Sequence, residues 1–174
     1  MSNSKWDQNY LEMAHLVAGW SKDPNAQVGA VIVRNNRVVA TGFNGFPAEV
    51  EDLDERLGDK IKKLKMVVHA EQNALIVAGK MAEGATIYVH GKAVCATCAG
   101  AIIQAQIKRV VGPDPLAEKG DWRESGILAD QMFTEASVIF HPRTIRVVQE
   151  GVYELVPAND PAPAVPAVAA VAAE

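Results

Sequence analysis

His69 and the pair Cys95 and Cys98 constrain the fold more than any other feature of this chain. One imidazole and two thiolates are donors that a borderline-soft dication such as Zn²⁺ prefers, and three protein ligands leave a fourth tetrahedral position open for water. To serve one ion, stretches far apart in sequence must bring their side chains to one point. Cys95 and Cys98 stand three apart, so at the start of a helix both thiols face the same side. The positive end of such a helix favours the thiolate forms. His69, beginning a helix of its own, can meet them from a neighbouring element. Glu71, two residues on, can stand beside the water without binding the ion, placed to move protons. A closed structural zinc site needs a fourth ligand. His90 is a candidate for it, against a solvent-facing or hydrogen-bonded role at a strand end. A CxxC redox pair would leave His69-Ala70-Glu71 unexplained.

The rest of the chain reads as alternating helices and strands. Tyr10, Met13, Ala14, Val17 and Ala18 recur at helical spacing, predicting an amphipathic helix over 6–20 with Trp6 and Trp20 as packing anchors. Two β-branched runs, 28–33 and 38–43, flank Arg34-Asn35-Asn36-Arg37 and predict a hairpin. Residues 48–66 are charged and helical at least in their second half; Lys60, Lys62, Lys63 and Lys65 form either a solvated face or a phosphate-handling patch. A helix over 69–80, with a stripe of Ala70, Asn73, Ala74, Val77 and Ala78, precedes a strand at 86–89. A helix at 95–106, a strand at 109–112, a loop at 113–120, a helix at 124–136 and a strand at 137–140 follow. A helix between the last two strands favours a parallel crossover. Residues 145–156 add one possible edge element. The expectation is a three-layer α/β/α fold: a mixed five-stranded sheet, helices on both faces, the last two strands parallel.

At 174 residues the chain fits one domain, taken as 1–156, followed by a Pro/Ala/Val-rich stretch, 157–174, read as a disordered tail. The net charge of −4 offers no general attraction to polyanions, which argues against nucleic acid unless a local patch supplies it. Residues 1–10 are polar and lack a signal-peptide core, and no run approaches the roughly 20 apolar residues that span a bilayer, so no membrane role and a cytoplasmic location are expected.

The HxE and CxxC segments together resemble the signature of the zinc-dependent cytidine/deoxycytidylate deaminase superfamily. The likeness to its deoxycytidylate branch runs from residue 6 to about residue 140, through Trp6-Asp7 with Tyr10, residues 28–33, Thr41-Gly42-Phe43-Asn44-Gly45-Phe46-Pro47, His69-Ala70-Glu71 with Asn73-Ala74, and residues 101–107. It implies one Zn²⁺ per chain on His69, Cys95 and Cys98, Glu71 as the proton-moving catalytic residue, and a small nucleotide as substrate. Deamination of dCMP to dUMP is the leading expectation. Asn44 would hydrogen-bond the sugar, the Ala70 N–H would hold the base carbonyl, and Val28 and Ala30 would line the base pocket; Asn44 could equally be a turn residue. A homo-oligomer is also implied. Val94 replaces the family's usual Pro before the first zinc Cys, which should alter loop rigidity. The phosphate contact is unassigned, with Lys65, Lys92, Lys22 and Arg123 as candidates. Two other readings stay open: the same mechanism on another amino-bearing nucleoside, nucleotide or base, tRNA adenosine included, and a catalytically silent zinc scaffold.

Overall fold

The computed structural model describes residues 4–157; the Pro/Ala/Val stretch from residue 158 onward lies outside the described residues. Six helices are placed among them: α1 (Ser4–Ala18), α2 (Asp54–Gly58), α3 (Lys60–Met66), α4 (Ala70–Ala78), α5 (Ala96–Gln104) and α6 (Gly120–Glu135). The strands are β1 (Gly29–Arg34), β2 (Arg37–Phe43), β3 (Thr86–His90), β4 (Arg109–Gly112), β5 (Ile139–Gln149) and β6 (Val152–Pro157), in the order β2-β1-β3-β4-β5-β6.

The hairpin β1–β2 turns on Asn35 and Asn36, both with positive φ (51° and 60°), the conformation that a two-residue hairpin loop requires. β1 runs antiparallel to β3, whereas β3–β4 and β4–β5 are parallel, each pair joined across a helix. Side chains alternate along β1. Val31 and Val33 meet Tyr10, Leu11 and Ala14 of α1 on one face. Ala30 and Ile32 meet α4, α5 and α6 on the other. Burial on both faces explains why 28–33 is apolar without interruption.

The sheet has six strands, not the five expected. The strand expected at 137–140 runs on past Pro142, a residue that cannot donate to a ladder, as far as Gln149. In the fold Pro142 sits at a hand-over: β5 pairs with β4 as far as Pro142 and with β6 from Arg143 onward. The single edge element expected at 145–156 is thus the end of one strand plus all of the next. A second correction concerns α4. Its buried residues are Ala70, Glu71, Ala74 and Ala78, whereas Val77 is 69% exposed. Gly42 accounts for the small buried side: a Cβ there would run into the Ala70 carbonyl and the Ala74 amide, so α4 lies directly on β2. Trp6 and Trp20, expected as packing anchors, pack at the surface: both are exposed, Trp6 stacked on Tyr10 and Trp20 edge-on to Phe43.

Asp7, a buried residue in the first turn of α1, accepts hydrogen bonds from Arg109 on β4 and from the Tyr88 hydroxyl on β3, tying the helix to two central strands. Among the described residues no helix is long and apolar enough to cross a membrane.

Candidate active site

α4 and α5 start side by side on one face of the sheet, and the residues just before them carry the donors. His69 caps α4, its N–H donating to Gln72 Oε1 at 3.3 Å. Cys95 caps α5, its Sγ accepting from the Cys98 N–H at 3.5 Å. His69 Nδ1 lies 3.3 Å from Cys98 Sγ and 3.6 Å from Cys95 Sγ. The three ligand atoms all fall within 4.8 Å of one another, with both thiols buried. They compete for protons: hydrogen bonds from Cys98 and then His69 hold the Cys95 thiol down to about 4, while its bond to Cys95 and burial push the Cys98 thiol up. A site built from one depressed thiol, one raised thiol and a half-buried imidazole suits a thiophilic dication that replaces the shared protons. Glu71, in the first turn of α4, is 3% exposed, and burial pushes its carboxyl up to about 7. His90 is not part of this group; its Nε2 meets His15 Nδ1 at 3.1 Å across the sheet from α1.

The segment that delivers Cys95 is held from α6. Glu118, just before that helix, accepts the Ala93 N–H on Oε1 at 3.1 Å and pairs through Oε2 with Lys92 Nζ at 2.7 Å. Trp122 Nε1 donates to the Ala93 carbonyl at 3.0 Å, and Ser125 Oγ accepts the Ala96 N–H at 3.0 Å. The Trp122 ring also leans on the His69 imidazole, with centroids 5.8 Å apart. These contacts hold the segment on both sides of Val94, whose side chain enters the core. Sequence reasoning missed Glu118, Trp122 and Ser125, because no spacing rule links them to a cysteine so far upstream.

A cavity of about 550 Å³ opens beside the triplet, within the roughly 300–1,000 Å³ typical of small-molecule sites. His69, Ala70 and Glu71 form its floor, Val28 and Asn44 one wall, and α3 another. Ala70 opens α4, where backbone amides have no carbonyl within the helix to bond. Ala30, expected in the pocket, does not line it; it is fully buried in the core shared with Ala70 and Ala74. The Asn44 amide is engaged at both ends, Oδ1 accepting from the Val28 N–H and Nδ2 donating to the Ala26 carbonyl, each at 2.8 Å. It therefore fixes the loop that forms the wall. Of the four phosphate candidates only Lys92 lines the cavity; Lys60 and Lys63 join it, and Lys22 pairs with Asp52 instead.

Residues 4–112 match the family model described as the cytidine and deoxycytidylate deaminase zinc-binding region. An uncharacterized deaminase from the luxG 3′ region of Aliivibrio fischeri is 42% identical, over 78% of this chain and 91% of that protein. The deoxycytidylate deaminase of Homo sapiens is 34% identical, over 83% and 84%. Among solved structures, dCMP deaminase from the cyanophage S-TIM5 shares the fold, with a TM-score of 0.62 at 24% identity over 82% of this chain and 98% of that one. Acinetobacter baumannii RibD matches with a TM-score of 0.57 at 30% identity, this chain spanning 35% of its length. Zinc is the metal of the matched family, and the His69, Cys95 and Cys98 donor set fits it. The chain belongs to the cytidine and deoxycytidylate deaminase zinc-binding family.

Proposed function

We propose that this chain hydrolyses the exocyclic amine of dCMP, giving dUMP and ammonia. The observation that carries the reading is the placement of Glu71, a buried carboxyl in the same cavity as His69 and next to the two thiols. A silent zinc scaffold has no use for an acid there. The likeness to the deoxycytidylate deaminases of Pongo abelii and Homo sapiens supports the substrate.

His69, Cys95 and Cys98 would hold the zinc, which when bound supplies the Lewis acidity that makes water nucleophilic near neutral pH. Glu71 then does the proton work. Its carboxylate takes a proton from the attacking water and passes it to the ring nitrogen as the carbon bearing the amine becomes tetrahedral. The freed carboxylate then takes the proton of the added hydroxyl and hands it to the amine, which leaves as ammonia while the carbonyl of uracil forms. One carboxyl suffices because each transfer resets it for the next. The Ala70 N–H, in the first turn of α4, would hold the base carbonyl, and Val28, in the cavity lining, would pack the base edge. Asn44 has one Nδ2 hydrogen left to reach the sugar while it holds the Ala26–Val28 strand of loop in place.

Residues 1–156 would form the catalytic domain. Ile76, Val77 and Met81, all exposed around the end of α4, support burial of that face against a second copy in a homo-oligomer.

Ammonia release from the zinc-loaded protein, measured on dCMP, CMP, deoxycytidine, cytidine, dCTP and adenine- and guanine-bearing compounds, tests the reading. Turnover of dCMP above the rest, abolished in Glu71→Ala, is expected. Preference for another compound would move the chain to a different substrate, and a folded zinc protein inert on the whole panel would overturn the enzyme reading.

A further inference from the structure

Lys60, Lys63, Leu64 and Val67 line the cavity, and spacings of three, four and seven put them on one face of α3 and its continuation. Lys62 and Lys65 are absent from that lining; Lys62 is 64% exposed and pairs with Asp59. The lysine run therefore divides between a solvated face and a face turned into the site.

The inward pair has an unusual environment. The Lys63 side chain is 7% exposed, with its ammonium 2.7 Å from Asp23 Oδ1. Desolvating such a pair roughly cancels its Coulomb gain, so packed apolar residues would serve stability as well. An ammonium carries three N–H donors, and Asp23 takes one. Asp23 Oδ1 also accepts the Asn25 and Ala26 amides at 2.8 and 3.1 Å, which fixes it and orients the lysine it holds. Across the cavity Lys92 is matched by Glu118. Lys60 has no ion pair among the described residues. Among the described residues Lys60 is thus the lysine of the cavity lining without a carboxylate partner, in a protein of net charge −4, and it favours an anionic ligand on that side of the cavity.

Resting on the dCMP reading above, we infer that Lys60 and Lys63 receive the 5′-phosphate of the substrate and make the site choose a nucleotide over a nucleoside. Lys63 is the fixed donor, preset by Asp23. Lys60 closes from the rim and supplies the unmatched charge. Asp23 acts as a positioning residue for Lys63.

The test compares kcat/KM for dCMP and deoxycytidine in the wild type, Lys60→Ala, Lys60→Arg and the paired variant Lys63→Met with Asp23→Leu, which leaves no stranded carboxylate. The dCMP-to-deoxycytidine ratio should fall about 10- to 100-fold in Lys60→Ala, as expected for one charge-assisted contact, and further in the paired variant. Lys60→Arg should restore most of it, and added salt should narrow the gap between wild type and Lys60→Ala. As an equilibrium measure, calorimetry on Glu71→Gln protein should show dUMP weakened about tenfold by Lys60→Ala relative to deoxyuridine. A wild type that prefers dCMP, with a ratio untouched in both variants, would overturn the inference and leave the proposed function standing. A wild type indifferent to the phosphate, or inert on both compounds, would take down the dCMP reading and this inference with it.

Discussion

Glu118→Ala removes the acceptor that holds the Cys95 loop. Its carboxylate is 12% exposed and serves two groups, the Ala93 amide and the Lys92 ammonium. Ala93 is buried at 1% exposure, so its N–H is left without water or partner, a loss of about 1–3 kcal/mol. The Lys92 pair adds little, since Lys92 is 38% exposed and solvent screens it; about 0–1 kcal/mol covers it. Near the middle of those ranges, a loss of about 2–3 kcal/mol lowers the melting temperature by about 4–12 °C for a domain of this size. Trp122 and Ser125 still grip either side of the loop, so the chain should fold. The loosened segment runs into Cys95, and zinc binding must restore its order. At about 1.4 kcal/mol per factor of ten, zinc affinity falls roughly 30- to 100-fold. Competition against a chromophoric chelator reads the affinity, and calorimetric melting at saturating zinc reads the stability. Glu118→Gln keeps a carbonyl for the Ala93 amide and should lose less than about 1 kcal/mol. If Glu118→Ala melts early yet binds zinc with wild-type affinity, the loop is not what sets metal binding and the argument fails.

Gly42→Ala puts a methyl into the backbone of α4 at Ala70 and Ala74, so the helix must move away from β2. A loss of about 3 kcal/mol or more is expected, since backbone cannot yield as a side chain can. Zinc content after purification should drop with it, because His69 and Glu71 ride on that helix start. Asp7 predicts the acid limb of stability. Burial works against its carboxylate, but hydrogen bonds from Arg109 and Tyr88 and the guanidinium charge prevail and hold its pKa below the usual value. A folded pKa below the unfolded one means the stabilisation is complete above about pH 4 and is lost as the pH falls through the lower folded value. Urea midpoints measured from pH 6 down to pH 3 should therefore fall less steeply in Asp7→Asn, and equal slopes would refute the assignment. Asn44→Ala removes both ties to the 26–28 segment and should raise KM for dCMP about tenfold, with the zinc content unchanged.

Much of the fold was legible because its signals are local. Asn35-Asn36 states a hairpin, the small residues Ala70, Ala74 and Ala78 state a helix laid close on a sheet, and a helix between two apolar runs states a parallel crossover. The misreadings came where local signals conflict with position in the whole. The strand expected at 137–140 continues past Pro142, because β5 leaves β4 at that residue and acquires β6, a partner that lies later in the sequence. Val77 reads as core by period, yet the buried width of α4 is set by Gly42 on another element, and only a narrow alanine strip fits beneath it.

The site divides the same way. Metal chemistry is encoded in short spacings: Cys95 and Cys98 on one helix start, His69 and Glu71 on another, each fixed by about one turn of backbone. Once the two helices begin side by side, ligand set and proton carrier assemble together. The pocket around them obeys no such rule. Asp23 meets Lys63 across forty positions, and Glu118, Trp122 and Ser125 reach back to a loop some twenty-five residues earlier. Lys63 looked like one member of a solvated run; only the packing of α3 over the cavity sets it apart from Lys62 beside it. Reaction type is therefore written in sequence-local form, whereas the choice of substrate depends on walls contributed by distant segments. Exchanging wall residues, with His69, Glu71, Cys95 and Cys98 left intact, should for that reason shift which amine is removed before it alters how it is removed.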